Sequence, residues 1–232
     1  MNVHHIAMHL SDGIVNAPTS LLLGVTAIGA LGFCVTRARS ELDERAVPLA
    51  GLVAAFIFAV QMVNFPILPG VSGHLLGGAL AAILVGPFAG ALCIALVLTV
   101  QALLFADGGV TALGPNIINM AVFGVAAGYG SAVLLYALVR RRAHVSVTAV
   151  AVVAFLAALV ATVCAATGFV LEFAIGGAAP ASLAAVLAYM GGMHVLIGVG
   201  EGAITALTVV AVVRVRPDLV YLMRKPRAQV PV

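Results

Sequence analysis

Apolar runs of about twenty residues, broken by short segments that hold the charge, constrain this chain before any other feature does. Six runs reach the length a helix needs to cross hydrocarbon: Pro18–Val35, Ala46–Phe65, Pro87–Ala106, Ile117–Val139, Val145–Phe173 and Ala184–Val213. Hydrophobic residues make up 63% of the 232 and charged residues only 8%, where a soluble domain carries about a quarter charged. No soluble core could hide so much apolar surface, so lipid is the expected solvent. A shorter piece, His74–Val85, lies between Pro66, Pro69 and Gly70 on one side and Pro87 on the other. It is expected to be a short helix that still crosses. The fold class read from the sequence is therefore all-α, a polytopic membrane bundle of about seven helices.

Charge tests that count. Residues 1–12 contain no Lys or Arg, and the first positives, Arg37 and Arg39, follow the first apolar run. A secretory signal has the reverse order, so the first run reads as a retained span with the N-terminus outside. Seven crossings place Arg37–Arg45, the turn near Gly86, Arg140–Arg142 and everything after Val213 on one side. Those segments contain all 11 Lys and Arg, which makes that side, and the C-terminus, cytoplasmic. Six crossings would put Arg37–Arg45 and Arg140–Arg142 on opposite sides. The expected location is the cell membrane, with multiple passes. The pI near 9.0 then reflects orientation, not a nucleic-acid surface. The expected organisation is an extension over 1–7, a membrane domain over 8–217 and a basic cytoplasmic tail over 218–232.

Glycine and alanine clusters such as Gly77-Gly78-Ala79 and Gly124-Val125-Ala126 are suited to close helix crossings in lipid. Ala50 and Ala54 form a small-xxx-small pair, read first as packing within the chain. Cys34, Cys93 and Cys164 each sit inside an apolar run with no metal-ligand spacing, as small buried hydrophobes do. No phosphate-binding glycine loop of the Walker type is present, so ATP hydrolysis by that route is excluded.

Polar residues are costly in lipid, and four places retain them. They are the stretch Met8-His9-Leu10-Ser11-Asp12-Gly13, the loop from Pro66 to His74, the segment from Asp107 through Asn116 to Asn119, and His194 with Glu201 on the last span. In the seven-helix topology the first three converge at the external face. Imidazole suits nickel, cobalt, copper and zinc, which makes His9 and His74 candidate ligands. A lone histidine has commoner roles: His9 can be an exposed terminal residue, and His74 can cap a helix start. His194 and Glu201, seven apart, share a helix face and read as a buried contact that fixes register. Glu172 reads as an interfacial carboxylate near the outer end of its helix, and Asp107-Gly108-Gly109 as a turn.

Several of these blocks together resemble the CbiM/NikM family. They are Met8-His9 with Asp12-Gly13, Gly73-His74-Leu75-Leu76-Gly77-Gly78 with Gly86-Pro87, Gln101 through Gly109, Asn116 with Asn119-Met120, and His194 through Gly200-Glu201-Gly202. The resemblance runs in order from Met8 to about Pro217. It implies the substrate-specific S component of an energy-coupling-factor (ECF) importer for nickel or cobalt. It further implies metal ligands Met8 (main chain), His9 (main chain and imidazole) and His74 (imidazole). Amine, amide and imidazole from consecutive residues make fused chelate rings, and four nitrogens in a plane suit a d8 ion. The implied partners are a transmembrane T component, ATPase subunits and a small accessory membrane subunit. No resident cofactor is implied, since the metal ion is cargo. Residues 1–7 depart from the family pattern, for with them in place the nitrogen of Met8 is an amide. A start at Met8 or trimming restores the amine; otherwise His4 and His5 are substitutes. Ser11 also departs from the pattern and bears on loop stiffness.

Two other classes stand beside this one. A self-contained divalent-metal channel or carrier would carry polar residues along a midplane path, where this chain offers only His194 and Glu201. An intramembrane metalloenzyme would need an open metal position and a general base, and no His-Glu-x-x-His pattern occurs.

Overall fold

The structure, a computed structural model, describes residues 9–39, 42, 46–63, 65–68, 71–142 and 145–224. Helix α1 (Ala17–Ala38) starts behind Asn16, whose side chain accepts the Thr19 N–H at 3.0 Å. Helix α2 (Ala46–Gln61) leads into an antiparallel hairpin of β1 (Phe65–Leu68) and β2 (Val71–Gly73), where the sequence suggested an irregular loop. Helices α3 (Gly78–Val85) and α4 (Pro87–Leu104) meet at Gly86, whose φ of 100° turns the chain back on itself. Helix α5 (Leu113–Asn116), a π-helical segment (Ile117–Gly124) and α6 (Val125–Arg142) run on as one rod. Helices α7 (Val147–Gly176) and α8 (Leu183–Val215) begin behind the serine caps Ser146 and Ser182. Short turns over Pro217–Leu219 and Tyr221–Met223 follow.

The described residues thus form seven helical rods, as the apolar runs required. Five are long and apolar enough to cross a membrane unaided. The 16-residue α2 and the eight-residue α3 fall short. Helix α3 rises only about 12 Å, so the non-helical residues 74–77 ahead of it must supply much of any crossing.

The interior is more polar than the surface. Leu21, Ile28 and Leu207 are 70–74% exposed, while Gln61, Gln101, Thr162, Glu201 and Thr205 are all at 0%. Water would reverse that arrangement; lipid enforces it. At the centre lies α3, every residue buried, surrounded by α2, α4, α6, α7 and α8. A Cβ on Gly78 would lie 3.1 Å from the backbone of Gly124, and one on Gly128 2.9 Å from Ala79. The two glycine-rich clusters singled out in the sequence therefore serve one backbone-to-backbone crossing of α3 with the α5–α6 rod. Ala50 faces α4, where its carbonyl accepts the Cys93 thiol at 3.5 Å, so this part of α2 packs within the chain.

Val15 pairs with Gly177, which brings the start of α1 to the end of α7 and the start of α8. The C-terminal ends of α1, α6 and α8 consequently lie at the opposite end of the bundle. Every described arginine, from Arg37 to Arg224, sits at or just beyond those ends.

Candidate metal centre

The chain before α1 enters the arginine-free end of the bundle and is tied there residue by residue. The Leu10 N–H donates to Asn116 Oδ1 at 3.1 Å, and Asn116 Nδ2 donates back to the Leu10 carbonyl at 3.2 Å. The same carbonyl accepts from the Gly109 N–H at 2.9 Å. Asp12 Oδ1 accepts the Thr111 N–H at 2.8 Å and the Thr111 hydroxyl. Those donors, the hydroxyl foremost, hold the Asp12 carboxyl below the ordinary carboxylate range. Further along, the Asn16 N–H donates to the Gly176 carbonyl at 2.7 Å and the Ala178 N–H to that of Ile14 at 2.9 Å.

This lacing buries His9 against His74. Each residue is 8% exposed, and the ring centroids are 4.7 Å apart with planes tilted by 51°. His9 Nδ1 lies 3.3 Å from Asp107 Oδ1. Neither ring nitrogen of His9 has a hydrogen-bond partner among the described residues. For a buried imidazole that is an expensive state, and a bound cation relieves it. His74 Nδ1 lies 2.9 Å from the Leu75 carbonyl. Donation there leaves the lone pair on Nε2, the usual way in which a second hydrogen bond selects a ligand's tautomer.

Glycines let the turn after α4 approach this closely. A Cβ on Gly108, whose φ is +87°, would lie 2.9 Å from His9 Cβ. Ala106 just before it has φ 52°, a left-handed conformation that alanine adopts only under constraint. The strained turn aims Asp107 at His9, so the residue read as a turn former is also part of this site. Met8, His4 and His5 lie outside the described residues. No group of three or more His, Cys, Asp and Glu side chains with metal-holding geometry occurs among the described residues.

Glu172 differs from its expected interfacial position. It is 5% exposed and accepts from Asn119 Nδ2 at 2.8 Å, inside the bundle at the π-helical segment. The packing of α7 on that segment, which no spacing in the sequence reports, is what encloses it. His194 Nδ1 lies 2.9 Å from the Met190 carbonyl one turn back on its own helix. Glu201 is fully buried and ties α8 to the segment that carries His74. The role of Asn116 had a faint signal in the sequence, as one of two carboxamides, with Asn119, at the start of an apolar stretch.

Residues 9–219 match the profile of the CbiM family, described as the cobalt uptake substrate-specific transmembrane region. The chain belongs to the CbiM/NikM family. It is a multi-pass transmembrane component of cobalt or nickel uptake, in a family of transport proteins. As a substrate-specific component, a CbiM/NikM protein implies transporter partners. The chain is 40% identical over 219 residues to a putative fused nickel transport protein of Archaeoglobus fulgidus, covering 94% of this chain and 70% of that one. It is 33% identical to a cobalt transport protein CbiM of Geobacter sulfurreducens, covering 94% of this chain and 62% of the other. A crystal structure of a truncated transition metal transporter superposes with a TM-score of 0.75 at 28% identity, covering 89% of this chain and 99% of that one.

Proposed function

We propose that this CbiM/NikM protein is the substrate-capture subunit of an ECF-type importer. It binds a nickel or cobalt ion at the external side through Met8 (main chain), His9 (main chain and imidazole) and His74 (imidazole). The observation that carries the reading is the buried contact of His9 with His74, two residues 65 positions apart in the chain. Their rings are close enough for one cation to bind a nitrogen of each at about 2 Å. Two imidazoles fill half of a square of nitrogens, and the main chain of Met8 and His9 supplies the other half. The nearby Asp107 carboxylate favours a cation over a neutral ligand.

Orientation follows from the arginines. The end they occupy faces the cytoplasm by the positive-inside rule, which puts the His9–His74 end outside. Uptake against a gradient then depends on ATPase subunits, coupled through a transmembrane T component and assisted by a small accessory membrane subunit. The relatives named as fused nickel transport and cobalt transport proteins support nickel or cobalt as the cargo.

The test is titration of the purified protein, wild type, His9→Ala and His74→Ala, with Ni2+ and with Co2+. Each variant is expected to bind at least 100-fold more weakly, since losing one charge-assisted ligand costs about 3 kcal/mol. Unchanged affinity in either variant removes that residue from the site. Uptake by cells with and without the ATPase subunits tests the coupling. Full uptake without them would mean a self-contained carrier.

A further inference from the structure

Between β2 and α3 the chain runs through His74-Leu75-Leu76-Gly77 outside any helix or strand, and it is fastened by side chains from three helices. Glu201, on α8 and fully buried, accepts the Leu76 N–H through Oε2 at 3.0 Å and the Gly77 N–H through Oε1 at 2.9 Å. The Thr162 hydroxyl, on α7, donates to Oε2 at 2.8 Å. From the other side Gln61, the last residue of α2, donates through Nε2 to the Leu76 carbonyl at 2.9 Å. The peptide groups of Leu76 are thus held on both sides by side chains from α2 and α8.

We infer that Glu201 and Gln61 are positioning residues for metal capture, which set the place of the His74 imidazole by gripping the main chain two residues beyond it. The inference rests on the reading of His74 as a ligand. The chemistry of the grip is selective. Two of its partners, the Leu76 and Gly77 N–H groups, can only donate and each meets a different oxygen, so a carboxyl group serves both where a carboxamide would turn its own N–H2 against one of them. Hydrogen bonds in so dry an interior are electrostatically stronger than in water, and losing one is costly. Glu201 also caps α3, whose N-cap residue, Gly77, has no side chain to do so. The register assigned to Glu201 from sequence is therefore that of the His74 strap against α8. A displacement of α8 relative to α2 must act on the Leu76 peptide and so move His74, which provides a path from a helix shift to loss of the metal.

The experiment uses the full chain in detergent with Ni2+ alone, and measures affinity and the ligand-field absorption of the bound ion. The variants are Glu201→Gln, Gln61→Met, His74→Ala and the two doubles with His74→Ala. Each positioning variant is expected to weaken Ni2+ binding by about tenfold, as loss of an outer partner does, and to alter the absorption of the ion that still binds. In the His74→Ala background neither should weaken binding further, because the residue they act through is gone. A purely structural role would lower thermal stability, leave the absorption unchanged and add its effect to that of His74→Ala. That result, or unchanged affinity in Glu201→Gln and Gln61→Met while His74→Ala still weakens binding, overturns the inference and leaves the site standing. Unchanged affinity in His74→Ala overturns the site itself. Should Glu201→Gln fail to accumulate, Gln61→Met with its double decides.

Discussion

The carboxamide of Asn116 grips the main chain of Leu10 at both its ends, accepting its N–H at 3.1 Å and donating to its carbonyl at 3.2 Å. One side chain on a helical rod thereby fixes the residue next to His9. Asn116→Ala removes two partly buried hydrogen bonds, each worth about 1 kcal/mol. Metal affinity should fall roughly ten- to thirtyfold, measured by Ni2+ titration, with the fold retained by circular dichroism. No loss of affinity would mean that Gly109 and Asp12 suffice to hold the segment.

Asp107 stands beside His9 Nδ1 at 3.3 Å. Asp107→Asn keeps the shape and removes the negative charge. It is expected to weaken Ni2+ and Co2+ alike by about tenfold, the lower range for outer partners of a metal ligand. A loss for one ion alone would show that Asp107 acts on geometry instead of charge.

Gly77 has φ +84°, and a Cβ there would lie 2.8 Å from Ile57. Gly77→Ala should destabilise the protein by about 2–4 kcal/mol, combining left-handed strain with overpacking. Thermal unfolding in detergent measures this. Adding Ile57→Ala should cost less in the double variant than the two single losses predict, because the clash is then absent.

Asp12 supplies a pH dependence with a definite sign. Its folded carboxyl holds its proton less tightly than an unfolded one, mainly through the Thr111 hydroxyl. The contribution to stability is therefore present above the ordinary carboxylate range and is lost as pH falls through the depressed folded value. Because Asp12 is exposed, the effect should be small. Asp12→Asn should abolish that part of the acid-side decline in the thermal midpoint of the metal-free protein. Metal binding through the proposed nitrogen ligands should weaken toward low pH separately, since such ligands must be deprotonated.

Much of this fold was legible because lipid imposes a simple rule. Runs long enough to cross hydrocarbon became α1, α4, α7 and α8, and Gly78 and Gly124 marked a close helix crossing by residue type alone. The pairing of Phe65–Leu68 with Val71–Gly73 was not legible, since Pro66 and Pro69 signal only an interruption. His9 and His74 could be nominated by residue type and by the family pattern, but nothing local says that two residues so far apart touch. The burial of Glu172 and the grip of Glu201 on Leu76 depend on which helix faces which, information that spacing along one helix does not carry. Asp107 was hidden by its glycines, which explained it well enough as a turn.

In the proposed site one divalent cation is held between His9 and His74 by nitrogens that include the main chain at Met8 and His9. Anomalous scattering from crystals of the nickel-loaded protein tests it most directly. A single peak within about 2.1 Å of a nitrogen of each imidazole, with main-chain nitrogens of Met8 and His9 completing a square, is the predicted result. A peak elsewhere in the bundle, or one that leaves either imidazole out of reach, would rule out capture between these two histidines.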